Sequence, residues 1–365
     1  MGDRVTASTR ISVAPPGPPV PRAGGAIVAK GVARRVQSIV PADGDRIAIA
    51  YHEGFASSPG GIVVVGRRDF AVSASANGLF GPLHAGGGAW IASGPLWKGR
   101  LASARIVDPD TLAVLDTLPL CAPFARTGAG RIIAHTPVRA TGQVDGRFCE
   151  LGHFDVDPGE VGAGRVVLPD RSGLVELDLD DRRLRLLVES APFDPFTLCV
   201  LSPDRATAYA ASSFGRIVAV DLAREVIRWE RRSPRNVAVL SLHAMAIDVA
   251  GARIAVAGSG RPTDLLVLDS SSGETLHEMA VCRLLGRALV VRKPSARVEA
   301  LAYHPSGWLA VATSGGAIAE LRADGSLTAF RAAGAGIDAI AFLDDGRALL
   351  VGGREPQLRL WPVDI

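Results

Sequence analysis

Seven histidines, His52, His84, His135, His153, His243, His277 and His304, are the side chains best suited to acid–base work or metal ligation in this chain. No two of them stand in an HxH or HExxH spacing, which would put two imidazoles on one face of a strand or helix. The four cysteines, Cys121, Cys149, Cys199 and Cys282, form no CxxC pair and no Cys/His ligand run. GxSxG elbows and P-loops are missing as well. The run Ala85-Gly86-Gly87-Gly88 stands between strand patterns and not ahead of a helix, so it reads as a turn and not as a phosphate cradle. The acids placed where loops would meet at a site are few: Glu53, Asp264 and Glu355. These residues predict a protein that is not an enzyme and carries no cofactor and no metal.

Composition narrows the partners. Forty basic residues against 37 acidic ones leave a formal net charge of +3, so bulk electrostatics gives no expectation of nucleic acid or membrane binding. Apolar residues at 48% and charged residues at 21% are those of a folded globular chain. The first 25 residues form a Pro-rich tail around Pro15, Pro16, Pro18, Pro19 and Pro21, with no unbroken apolar stretch of a signal peptide. The expectation is a cytoplasmic protein with buried thiols and no disulfides.

Arginine is a chemically capable residue that recurs with order, and it does so inside a repeat. The unit is a Gly- or Asp-bearing turn, an Arg, and four or five small apolar residues. Copies are Gly44-Asp45-Arg46-Ile47-Ala48-Ile49-Ala50, Gly130-Arg131-Ile132-Ile133-Ala134, Gly164-Arg165-Val166-Val167-Leu168, Pro203-Asp204-Arg205 before 206–211, Gly251-Ala252-Arg253-Ile254-Ala255-Val256-Ala257 and Asp345-Gly346-Arg347-Ala348-Leu349-Leu350-Val351. A seventh has Trp for Arg, Ser306-Gly307-Trp308-Leu309-Ala310-Val311-Ala312, and a weaker one lies near Ala89–Ser93. The spacing clusters near the roughly 40–45 residues of a propeller blade. Arg beside a turn carboxylate reads first as a device that fixes the turn.

A second unit follows most copies: an alternating strand ending in an apolar–Asp pair, as in Arg105-Ile106-Val107-Asp108, Leu174-Val175-Glu176-Leu177-Asp178, Ile217-Val218-Ala219-Val220-Asp221 and Leu265-Leu266-Val267-Leu268-Asp269. A strand also precedes each Arg turn, and a short one follows each Asp. Period-2 patterning with Asp, Gly and Pro turns makes the chain all-β. The order strand a, turn, strand b, loop, strand c, turn, strand d builds one four-stranded blade of a β-propeller. Residues 26–365 form one such domain, with seven blades favoured and eight as the alternative, because residues 119–190 hold either two compressed blades or one blade with an insertion. The last unit stops after its strand c. Ala26-Ile27-Val28-Ala29-Lys30 is therefore expected to supply its strand d and close the ring.

The final unit, Ile337-Asp338-Ala339-Ile340-Ala341-Phe342-Leu343-Asp344-Asp345-Gly346-Arg347 through Leu358-Arg359-Leu360-Trp361-Pro362, resembles a repeat of the WD40/YVTN-type propeller superfamily, with Trp361-Pro362 where that family carries Trp-Asp. The resemblance implies a non-catalytic protein–protein interaction scaffold within a multiprotein assembly. In a propeller the a–b and c–d turns share one face and the b–c and d–a loops the other. The second face carries Trp97, Arg100, Arg139, Arg171, Phe214, Arg216, Arg261 and Arg354, the expected partner-binding residues, facing one or more proteins with an acidic surface. The alternative is a propeller enzyme of hydrolase or lactonase type, or a small-molecule or anion sensor, with its site at the channel mouth. One further segment has its own character. Val281-Cys282-Arg283-Leu284-Leu285-Gly286-Arg287 to Val291-Arg292-Lys293 reads as a long strand d with its loop, or as an amphipathic docking excursion.

Overall fold

The strands b and c are short runs of small apolar residues because both of their faces are covered. In the computed structural model of the chain, residues 35–42, 44–52, 60–84, 89–93, 104–118, 120–127, 130–135, 141–144, 147–150, 173–178, 184–191, 194–212, 214–232, 241–259, 263–282, 284, 297–331, 336–355 and 358–363 are described. They form seven antiparallel blades in a ring. Blade 1 is β1 (Arg35–Ala42), β2 (Arg46–His52), β3 (Gly60–Gly66) and β4 (Val72–Asn77); blade 2 is β5 (Phe80–His84), β6 (Trp90–Ser93), β7 (Ala104–Val107) and β8 (Val114–Leu118). Blade 3 runs β9 (Cys121–Arg126), β10 (Ile132–His135), β13 (Gly173–Leu177) and β14 (Leu184–Glu189), and the hairpin β11 (Thr141–Val144) with β12 (Arg147–Glu150) stands inserted between its strands b and c. Blade 4 is β15 (Phe196–Leu201), β16 (Thr207–Ser212), β17 (Arg216–Asp221) and β18 (Val226–Arg232); blade 5 is β19 (Ser241–Ile247), β20 (Arg253–Ser259), β21 (Leu265–Asp269) and β22 (Thr275–Met279). Blade 6 is β23 (Val298–Tyr303), β24 (Leu309–Thr313), β25 (Ala317–Leu321) and β26 (Leu327–Arg331), and blade 7 shows β27 (Ile337–Leu343), β28 (Ala348–Gly353) and β29 (Arg359–Pro362) among the described residues.

The count of seven settles the choice left open by residues 119–190: they make one blade with an insertion. The Gly164–Leu168 copy and the expected closing strand 26–30 lie outside the described residues, as does the Pro-rich tail. After strand d of blade 5 the chain leaves β22 at Met279 and enters a helical turn at Val281 and Cys282, so the strand does not run on through this segment.

Each pair of neighbouring blades encloses its own core, and there are seven such cores for seven blades. Ile47, Ile49, Val63 and Val65 of blade 1 pack on Ala339, Ala341 and Leu350 of blade 7. That contact joins the first blade to the last and completes the circle of cores. Elsewhere the pattern repeats, as in Ile91, Ile106 and Leu118 of blade 2 against Ile132, Val175 and Leu177 of blade 3. Strands b and c lie between two such cores, which explains burial along the whole of β16 and β13. The polar side chains there are paired, Thr207 N–H with Ser202 Oγ, Ser212 Oγ with the Arg216 N–H and Glu176 with Arg131 and Arg185. The outermost strands have one wet face and alternate accordingly, as β4 and β18 do.

The Asp that ends strand c has a local task. The Asp108 carboxylate accepts the backbone N–H of Asp110 (3.0 Å) and Thr111 (2.7 Å), Asp221 those of Ala223 and Arg224, and Asp269 those of Ser271 and Ser272. These bonds hold the c–d turn; the Thr111 N–H foremost lowers the carboxyl pKa of Asp108, and the Ser271 hydroxyl, ahead of the Ser272 N–H, lowers that of Asp269. The Arg that opens strand b works between blades as often as within one. Arg46 donates to Asp110 Oδ1 (2.6 Å) and to the Pro109 carbonyl of blade 2, and Arg253 reaches the Gly307 carbonyl of blade 6 at 2.6 Å. Arg253 also takes a carboxylate of its own a–b turn, Asp248 at 3.0 Å. Arg131 instead pairs with Asp178 and Glu176 on strand c of its own blade.

Candidate interaction face at the channel mouth

The innermost strands β1, β5, β9, β15, β19, β23 and β27 are neighbours around the ring and so line the central channel. Five of them break register against strand b at the same place, one residue after a buried apolar one. Those buried residues are Val36, Phe196, Leu242, Val298 and Ile337. The residue skipped by the ladder is polar every time: Gln37, Thr197, His243, Glu299 and Asp338. A bulge frees one residue from the ladder and re-aims its side chain. Here the same device is repeated at the end of strand a where the d–a loops enter, so it sets polar groups around one mouth of the channel.

These groups form a belt across blades. Asp338 of blade 7 takes Arg35 of blade 1 in a two-pronged pair, Nε to Oδ2 at 2.8 Å and NH2 to Oδ1 at 3.3 Å. Glu299 of blade 6 accepts Arg297 Nε at 2.7 Å and stands 3.9 Å from Arg354 NH2 in blade 7. Gln37 Oε1 accepts the Gly81 N–H of blade 2 at 3.3 Å. His243 of blade 5 faces the charge of Arg297, and burial, with that charge, lowers its pKa. Its Nε2 has no protein partner among the described residues. Each of the two acids of the belt is thus engaged by a guanidinium group.

Three of the expected partner-binding residues are described, and they stand on this face. Phe214 is 53% exposed in the β16–β17 turn, where its N–H donates to Asp194 Oδ1 at 2.8 Å. Two residues on, Arg216 is 13% exposed, fixed by a fork onto Glu230 (3.1 and 2.9 Å), by the Glu189 carbonyl (2.6 Å) and over the Phe196 ring (5.5 Å). It shapes the turn that presents Phe214. Arg354 opens the β28–β29 turn with its side chain 46% exposed. Trp97, Arg100, Arg139, Arg171 and Arg261 lie outside the described residues, and so does Glu53.

The remaining acids have other roles. The Asp264 carboxylate is buried and accepts the Val281 and Cys282 N–H groups (2.6 and 2.9 Å), capping the helical turn; burial raises its pKa. Glu355 pairs with Arg359 at 2.7 Å. Cys199 and Cys282 are free thiols, and burial pushes Cys199 up to about 12 and raises Cys282 as well, so neither is a ready nucleophile. His135 is buried against Ser190 Oγ at 3.1 Å, and burial alone takes its pKa down to about 4.

No protein-family model matches the chain. No curated protein matches it either. The fold is that of a β-propeller, and the chain stands in that architecture on its own geometry.

Proposed function

We propose that this propeller is a WD40-like, non-catalytic scaffold that binds one or more cytoplasmic proteins through the face bearing the b–c and d–a loops. The observation that carries the reading is the belt. Five bulged inner strands set polar side chains around one mouth, the acids there are engaged by Arg, and Phe214 and Arg354 stand exposed on the same face. Exposed aromatic and Arg side chains on a rigid frame are what binding hot spots are built from. Arg35, Arg297 and Arg354 outnumber the two belt acids, which suits a partner with an acidic surface.

The test compares variants in capture from the native host. A stoichiometric protein partner held by the wild-type chain should be lost with Phe214→Ala plus Arg354→Ala, and should weaken as salt rises. It should be kept by Leu115→Ser, a residue 60% exposed on the outer strand β8. Equal loss or equal retention in both variants refutes this face as the binding surface. A chain that returns alone, carrying metal by elemental analysis, refutes the scaffold reading and turns attention to an enzyme site in the channel.

A further inference from the structure

The opposite face of the ring, where the a–b and c–d turns lie, holds a cavity of about 410 Å³ between blades 5 and 6. Its working side chains are Arg253, His304, Ser306, Trp308, Glu320 and Arg322. The volume falls in the range of small-molecule pockets, roughly 300–1,000 Å³.

Its aromatic wall is fixed in advance. Trp308 lies stacked on His304, with ring centres 4.9 Å apart and planes 14° from parallel. Phe342 of blade 7 meets both rings edge-on at 5.0 Å. His304 cannot turn, because the Ser306 N–H donates to its Nδ1 at 3.0 Å, which places the proton on Nε2 facing the Gly346 carbonyl at 3.2 Å. The indole is therefore a rigid plate, and a flat ligand loses little by stacking on it.

The polar atoms are unbalanced in one direction. Arg322 gives only its Nε to Glu320 (2.7 Å), and its two terminal nitrogens have no protein acceptor among the described residues. Arg253 gives Nε to Asp248 and NH2 to Gly307, which leaves NH1. Most nearby acceptors are taken, the Gly307 carbonyl by Arg253, the Ala323 carbonyl by His277, His304 Nδ1 by Ser306 and Glu320 Oε1 by Arg322, which leaves Glu320 Oε2. A cavity with open N–H donors, few open acceptors and a flat apolar wall suits a ligand that ends in an oxyanion.

We infer that this cavity binds a small aromatic oxyanion, its ring on Trp308 and its carboxylate or phosphate in the fork of Arg322 beside Arg253. The site is on the other face from the proposed protein-binding surface and does not depend on it.

The full chain, labelled with 5-fluorotryptophan, carries five reporters, and Trp308→Phe identifies the Trp308 signal in the fluorine spectrum. Benzoate and phenyl phosphate are titrated separately, with inorganic phosphate and benzyltrimethylammonium as comparisons. The expected result is a saturable shift of the Trp308 signal by one of the aromatic anions, with a Kd on the order of 1 mM or tighter. Arg322→Gln should weaken it about ten-fold, since a fork contact to an oxyanion is lost. Arg322 is 63% exposed, and the four other signals report that the variant keeps its fold. The tighter of benzoate and phenyl phosphate names the oxyanion. Absence of a saturable shift with both anions overturns the inference. So does a shift unchanged by Arg322→Gln, or tighter binding of benzyltrimethylammonium.

Discussion

Arg35 and Asp338, 303 positions apart in the chain, meet in a two-pronged ion pair that joins the inner strand of the first blade to that of the last. Asp338 is 9% exposed at its side chain and Arg35 34%, so the pair is shielded enough to matter while Arg35 keeps contact with water. The pair belongs to both the fold and the face: it fastens the ring where blades 1 and 7 pack, and it is a segment of the belt around the channel mouth.

Asp338→Ala should lower the unfolding free energy by about 1–3 kcal/mol, because it removes two charge-assisted hydrogen bonds and leaves a half-buried guanidinium unpaired. The exchange Arg35→Asp with Asp338→Arg should recover part of that loss. Denaturant titration of the three variants measures it, and an Asp338→Ala chain as stable as wild type contradicts a fastening role.

Blade 7 shows three strands among the described residues, and the edge of β29 is half-buried where strand c of every other blade is largely buried. The expectation that Ala26–Lys30 covers this edge gives a comparison of truncations. Removal of residues 1–32 should lower the thermal midpoint, and removal of 1–22 should leave it unchanged. Equal midpoints for the two truncated chains contradict closure by that segment.

Most of this architecture is legible in the sequence because a buried strand must be written in small apolar residues and a tight turn in Gly and Asp. The weak copy at Ala89–Ser93 is β6, and the Arg and Trp308 copies open or precede β2, β10, β16, β20, β24 and β28. The apolar–Asp ending marks a turn that the carboxylate holds. What spacing along the chain does not disclose is which carboxylate an Arg meets in space. Arg46 stands next to Asp45, yet it pairs with Asp110 of the next blade, and Asp45 pairs with Arg68. The belt was hidden for a related reason, since a bulge is a property of two strands in register. A faint signal does exist in the apolar–polar starts Val36-Gln37-Ser38-Ile39, Phe196-Thr197-Leu198, Leu242-His243-Ala244, Val298-Glu299-Ala300 and Ile337-Asp338-Ala339. Only the second departs from a small third residue being followed by an apolar one.

His135 gives the fold a dependence on acid. Its pKa is about 4 when folded, against an ordinary 6.5, because burial disfavours the imidazolium. Between those values the unfolded chain binds the extra proton, so stability falls as the pH drops from 6.5 to 4 and levels off below that. The loss is on the order of 3–4 kcal/mol at 1.36 kcal/mol per pH unit. His135→Gln should flatten stability over that interval, measured as denaturant midpoints against pH. An unchanged slope contradicts the assignment to His135.

Gly346 sits at φ +95° in the turn before β28, and a Cβ there would run into the His304 ring. Gly346→Ala should therefore cost about 2 kcal/mol or more and disturb the Trp308 stack that His304 supports. The readouts are the denaturant midpoint and the Trp308 fluorine signal. A variant with both unchanged contradicts the rigid plate described for the second face.

The central claim is that proteins bind at the mouth ringed by Gln37, Thr197, His243, Glu299 and Asp338. Amide hydrogen exchange of the chain, alone and bound to its captured partner, reads this directly. Binding should slow exchange at the d–a and b–c connections and at the first residues of β1, β15, β19, β23 and β27, with the outer strands β4, β8, β18 and β22 unaffected. Protection confined to the outer strands or to the a–b and c–d turns would contradict the account.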